Sequence, residues 1–166
     1  MKRIETIKYL MMAVLTVVCM TFTACGDDDK EYDPGYGKTE LLEGVHRIEV
    51  SFKNAENWRA SVMFIGTYHE EAAELYEDGE KIGRGKGYYV DGGVRNYNIE
   101  SEAKCDDMVV TLSLNPLVMD DPGELEVTLK GYVNGKQTNM KVYTVTKDGY
   151  RNITFYAQDY GADVIR

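Results

Sequence analysis

Between residues 45 and 157, apolar and polar side chains alternate with a period of two in one run after another, the pattern of strands that bury a single face. His46, Ile48, Val50 and Phe52 alternate with Arg47, Glu49, Ser51 and Lys53. Trp58, Ala60, Val62, Phe64 and Tyr68 repeat the device against Arg59, Ser61 and Thr67, which predicts two strands lying side by side. Further strands are predicted at 94–101, 108–114 and 152–157, with a short one at 88–90. Asn115-Pro116, Asp121-Pro122-Gly123 and Asp148-Gly149 supply turns between them.

Two hairpins are written more sharply. In 125–145, Asn134-Gly135 separates two alternating runs as a two-residue type I′ turn does. Setting Val133 opposite Lys136 places Leu129 against Met140 and Val127 against Val142, so one face is apolar on both strands. Tyr132 and Tyr143 then fall on the other face, among Glu126, Lys130 and Lys141. Asp78-Gly79 predicts a second hairpin, with Leu75 opposite Ile82 and a like-charge pair, Glu77 and Glu80. A helix over 70–77 competes, because Ala72, Ala73, Leu75 and Tyr76 would share a face. Glu70 with Glu74 and Glu74 with Asp78 repel at i, i+4, which favours the hairpin. Eight or nine short strands, tight turns and no sustained helical period define an all-β chain, an antiparallel β-sandwich of immunoglobulin-like or related form.

The first residues are patterned differently. Lys2, Arg3 and Lys8 precede an apolar run, 9–20, which is too short for a membrane span of about 20 residues, and together they read as the n-region and h-region of a signal peptide. Thr21-Phe22-Thr23-Ala24-Cys25 follows, and small residues before a cysteine at this place resemble the lipobox of bacterial lipoproteins. That resemblance implies cleavage after Ala24 and lipidation of Cys25, with palmitate among the acyl chains; Phe22 stands where leucine is usual. Cys19, behind Val17-Val18 and inside the apolar run, is the weaker candidate. Asp27, Asp28 and Asp29 resemble the acidic export signal of surface lipoproteins of the Bacteroidota. The domain organisation expected is a signal peptide at 1–24, a lipidated acidic tether at 25–44 and one β-sandwich domain at 45–166.

Composition then takes on a different meaning. The 166 residues carry a net charge of −9 and three cysteines. Residues 1–24 hold three basic side chains and one acidic, so their removal takes the charge from −9 to −11. Such a chain is repelled by polyanions, which excludes nucleic acid as a partner and leaves the lipid as the tie to the membrane. With Cys19 removed and Cys25 acylated, Cys105 is the remaining thiol, and no disulfide within the domain is expected. A small apolar core role suits it.

Chemistry is sparse. His46 falls in the inward set of its strand and His69 at a strand end, and neither belongs to a nucleophile elbow or a zinc-protease motif. Asp106-Asp107 and Asp120-Asp121 flank the 108–114 strand from opposite ends, so they read as solvated turns rather than a calcium cage. No catalytic residue, metal ligand or cofactor is expected. Gly83-Arg-Gly-Lys-Gly87 is a basic island whose Arg84 and Lys86 are candidates for an anion contact. Trp58 reads as core. Tyr132 and Tyr143, predicted on one outer face, are candidates for a platform on which a glycan stacks.

The acidic tether, the Leu75-Tyr-Glu-Asp-Gly-Glu-Lys-Ile82 hairpin, the 123–136 segment and Lys141-Val-Tyr-Thr-Val145 together resemble the small β-sandwich surface lipoproteins of Bacteroidota, whose function is uncharacterised. The resemblance implies a location at the bacterial outer membrane, lipid-anchored and exposed at the cell surface, and it transfers no catalytic residue. The expected function is a non-enzymatic binding or adhesion module for a glycan or protein partner. A structural or assembly subunit of an outer-membrane or fimbrial complex is the alternative, and a small hydrolase comes third.

Overall fold

A computed structural model describes residues 41–160 apart from Val94, Tyr150 and Arg151. Cys19, Cys25 and Asp27–29, with the whole of the signal and most of the tether, lie outside the described residues. Among the described residues there are eleven strands: β1 (His46–Lys53), β2 (Trp58–Tyr68), β3 (Glu71–Ala72), β4 (Leu75–Glu77), β5 (Glu80–Gly83), β6 (Lys86–Asp91), β7 (Tyr97–Ser101), β8 (Asp107–Pro116), β9 (Leu125–Val133), β10 (Lys136–Val145) and β11 (Asn152–Tyr156). All pair antiparallel. One sheet has the order β10-β9-β1-β7-β4-β5, and the second β11-β8-β2-β3, with β6 sharing the β3 edge of β2.

The chain is therefore the all-β, two-sheet sandwich that the alternation predicts. The inward residues of both sheets, among them Ile48 and Val50 of β1, Val62 and Phe64 of β2, Leu112 and Leu114 of β8 and Val127 and Leu129 of β9, meet in one buried cluster. Each such side chain contributes about 1.5–3 kcal/mol by leaving water. Cys105 lies fully buried in the same core, its thiol donating to the Asp107 carbonyl at 2.9 Å. Burial pushes that thiol's pKa up.

Several local expectations are corrected. β1 and β2 are not lateral neighbours, for β1 pairs with β7 and β9 in one sheet while β2 pairs with β8 in the other. Two amphipathic strands bury the same alternate residues whether they lie side by side or face each other. Asn115-Pro116 does not turn; it ends β8, pairing with Arg59 and Trp58. Over 70–77 the favoured hairpin reading holds against the competing helix, with β3 at Glu71–Ala72 and β4 at Leu75–Glu77. The strand count exceeds eight or nine partly because β3 is only two residues long, too short to show a period.

Both predicted hairpin turns are present, with positive φ at Asp78 and Gly79 and at Asn134 and Gly135, as a type I′ turn requires. Each hairpin also carries a bulge. Leu75 pairs with Gly83, not Ile82, because the register shifts after Tyr76–Lys81. In the larger hairpin Thr138 is extra, so Asn139 faces Gly131, Met140 faces Lys130 and Tyr143 faces Val127. One inserted residue exchanges the two faces of a strand. Met140 and Val142 are consequently 47% and 54% exposed, and Tyr143 packs against the core.

The bulge has a tertiary cause. Thr138 Oγ1 donates to the Ala157 carbonyl at 2.7 Å and Asn139 Nδ2 to the Tyr156 carbonyl at 3.0 Å. These bonds tie β10, at the edge of one sheet, to the end of β11, at the edge of the other. Gly131 permits the contact, since a Cβ there would lie 2.1 Å from the Ala157 carbonyl oxygen. On the opposite side, Tyr88 of β6 and Tyr97 of β7 join the sheets with ring centroids 4.6 Å apart. Arg95 caps both rings at 5.3 and 5.5 Å and bonds Glu77, which also accepts from the Tyr88 hydroxyl at 2.9 Å. Burial first, and then the Glu77 carboxylate, push the Tyr88 phenol up to about 12.

Candidate functional site

The outward residues of the second sheet follow from its register. Ser61, Met63, Ile65 and Thr67 of β2 stand beside Ser113, Thr111, Val109 and Asp107 of β8, and Thr154 and Tyr156 of β11 continue the rows from Thr111 and Val109. At the Thr67–Asp107 end this face runs into an open groove of about 800 Å³, lined by Leu41, Thr67, His69, Glu70, Asp106, Asp107, Tyr156 and Tyr160.

Each wall has a local origin. His69 and Glu70 both have positive φ and link Tyr68 to Glu71 as a two-residue turn, the form a hairpin's twist selects even without glycine. Asp106 secures that turn, with Oδ2 accepting from the His69 backbone N–H at 2.8 Å and Oδ1 from the Thr67 hydroxyl at 3.4 Å. The His69 ring lies 4.1 Å from that of Tyr68, centroid to centroid, with its Nδ1 3.9 Å from Asp106 Oδ2. After β11 the chain brings Tyr160 against Tyr156, ring edge to face at 5.3 Å, and the Tyr160 hydroxyl donates to Asp107 Oδ1 at 2.8 Å.

The electrostatics are those of partly buried carboxylates. Desolvation raises the Asp107 pKa, against the opposing effects of the Tyr160 and Met108 hydrogen bonds. Tyr160 is pushed up as well, by burial and then by Asp107. Asp106 and Asp107 are thus not solvated turn residues, whereas Asp120 and Asp121, at the far end of β8, are exposed. Among the described residues no three His, Cys, Asp or Glu side chains converge on a point where a metal could sit.

The residues singled out from the sequence lie elsewhere and apart. Tyr132 is on the outer face of the first sheet, its ring under the Arg47 guanidinium at 4.0 Å and its hydroxyl donating to Glu49 at 3.1 Å. Tyr143 occupies the inward register of β10, so the two rings do not share a face, and the bulge at Thr138 is the reason. Arg84 Nε donates to Glu74 Oε1 at 2.9 Å, and Lys86 Nζ lies 5.7 Å from the Tyr88 ring centroid, so each cation already has a partner within the fold. His46 is buried, its Nε2 at 2.7 Å from the Leu42 carbonyl, and its Nδ1 has no hydrogen-bond partner among the described residues. Tyr156 and Tyr160 carried no weight in the sequence. The outward parity of Tyr156 between inward Phe155 and Ala157 was the available signal, but what lies beside it depends on the β8 register.

No protein-family model matches the chain, and no curated protein is similar enough in sequence to match it. Solved structures do. A DUF4425 family protein from Bacteroides ovatus ATCC 8483 superposes with a TM-score of 0.60 at 19% identity, over 71% of this chain and 98% of that one. A domain of unknown function, DUF4425, from Bacteroides vulgatus ATCC 8482 gives 0.58 at 20% identity, over 70% and 97%. The fold resembles that of the Bacteroides DUF4425 structures. The calcium-bound form of a protein from Parabacteroides distasonis superposes less closely, with a TM-score of 0.48 at 12% identity. At such identities the likeness is one of fold, and it specifies no ligand.

Proposed function

We propose that this chain is a lipid-anchored protein of the bacterial outer membrane, exposed at the cell surface, whose β-sandwich is a non-enzymatic binding or adhesion module for a glycan or protein partner. The observation that carries this reading is the sequence around Cys25, where small residues end an apolar run of signal-peptide length and three aspartates follow the cysteine directly. Each buried CH₂ of an acyl chain contributes about 0.8 kcal/mol, so two or more chains hold the protein durably at the membrane without electrostatic help. The fold shared with Bacteroides structures and the open groove on one sheet are consistent with a tethered module that meets its partner outside the membrane.

Cys25→Ser is expected to abolish incorporation of labelled palmitate and to move the protein from the membrane fraction to the soluble fraction. Unchanged membrane retention would refute the anchor.

One observation favours a second reading, a structural subunit that lends or accepts a strand. β10 is an edge strand of ten residues with Met140 and Val142 exposed on its outer face. Lys136 and Lys141 on the same strand act against it, because edge lysines discourage strand addition. Oligomers that survive in detergent until boiled would favour the subunit over the monomeric binder.

A further inference from the structure

An open groove lies at the Thr67–Asp107 end of the second sheet. At about 800 Å³ it lies within the roughly 300–1,000 Å³ of small-ligand sites. Its described lining combines two tyrosine rings set edge to face, a threonine hydroxyl, a histidine and three carboxylates, with no lysine or arginine.

That inventory discriminates between ligand chemistries. Glu70, Asp106 and Asp107 repel sulfates, phosphates and uronates. A compact metal ion would need several carboxylates converging on one point, and these do not converge. What two of them, Asp106 and Asp107, present is acceptors oriented by hydrogen bonds within the fold. Asp106 has one oxygen fixed by the His69 N–H and the other by the Thr67 hydroxyl, while Asp107 Oδ1 is fixed by the Tyr160 hydroxyl. A carboxylate oxygen that accepts one hydrogen bond keeps a second lone pair, directed by the first. Carboxylate oxygens held in fixed orientation suit hydroxyl donors of a ligand, and half-buried tyrosines suit an apolar C–H face.

We propose that this groove binds a neutral saccharide, with a sugar ring packed on Tyr156 and Tyr160 and its hydroxyls donating to Asp106 and Asp107. The proposal rests on the binding-module reading above and gives it a site and a ligand class. The raised pKa of Asp107 is in keeping with it, since a carboxyl held where burial disfavours its charge gains from a bound hydroxyl donor.

The test uses the full chain, purified in detergent, on an array of neutral, amino, uronic and sulfated oligosaccharides, followed by calorimetric titration with the neutral oligosaccharide that binds best. Tyr156→Leu, which keeps an apolar side chain on β11, is expected to weaken that oligosaccharide by roughly tenfold. Asp106→Asn is expected to weaken it similarly, and both variants are checked for an unchanged thermal midpoint. Should Asp106→Asn unfold the His69–Glu70 turn, Tyr160→Leu takes its place, removing the second ring of the groove. The proposal is overturned by retention of sulfated or uronic oligosaccharides only, by neutral-sugar affinity unchanged in Tyr156→Leu, or by a protein partner whose capture the groove variants abolish. Neutral-sugar binding that ignores the groove leaves the module reading intact and removes this site. Absence of all glycan binding together with boil-sensitive oligomers removes the module reading itself.

Discussion

At the scale of single residues, Asp107 shows most directly how this domain keeps a group that its own stability disfavours. Burial raises its pKa, so the folded chain binds that proton more readily than the unfolded one. The resulting destabilisation is greatest above the raised folded value, declines as pH falls through it, and vanishes below the unfolded value of about 3.9. Asp107→Asn, which still offers an oxygen to the Tyr160 hydroxyl, is therefore expected to raise the thermal midpoint at pH 7 by a few degrees. Melts from pH 7 down to pH 3 should show that gain shrinking to nothing. A gain that stays constant with pH, or a loss at pH 7, would mean that the ionised carboxylate stabilises the fold through Tyr160. The residue itself was visible in the sequence as half of an Asp-Asp pair. Its setting was not, because the hydroxyl that its carboxylate accepts from belongs to Tyr160, more than fifty positions away.

Among the elements, the β9–β10 hairpin separates what local chemistry specifies from what it cannot. Asn134-Gly135 sets the turn, and Val133 does pair with Lys136. Alternation then predicts that Met140 and Val142 face inward, since a hairpin considered alone buries its apolar side chains. The observed strand places them outward because Thr138 is bulged, and the bulge is held by bonds to the end of β11 rather than to β9. Thr138→Ala removes the 2.7 Å bond to the Ala157 carbonyl and is expected to cost about 1 kcal/mol in chemical denaturation. Faster amide exchange in β11 than in β1 of that variant would place the loss at the join between the sheets. Equal acceleration everywhere would argue that Thr138 matters only within its own hairpin. The Tyr132 and Tyr143 platform failed for the same physical reason: a one-residue insertion reverses faces, and nothing in strand periodicity records it.

For the molecule as a whole, two unlike devices hold the sheets together beyond their shared core. An aromatic cluster capped by Arg95 closes one side, and backbone packed directly on Gly131 closes the other. Gly131→Ala would place a methyl group 2.1 Å from the Ala157 oxygen, against backbone that cannot swing aside. It is expected to destabilise by roughly 1–3 kcal/mol, read from denaturant midpoints at unchanged slope; a neutral result would show that the C-terminal segment moves away at no cost. The sequence by itself determined the class of fold, nearly all the strand positions, the two glycine-containing hairpin turns and the inward set of β1, β2 and β9, because alternation and turn chemistry act within a few residues. Tertiary structure decided which strands are neighbours, which face of β10 meets the core, and that Thr67, Asp106, Asp107, Tyr156 and Tyr160 line one groove. Those outcomes depend on register and on contacts between segments far apart in the chain, and a period of two is the same for a strand beside its neighbour as for one facing it across the core.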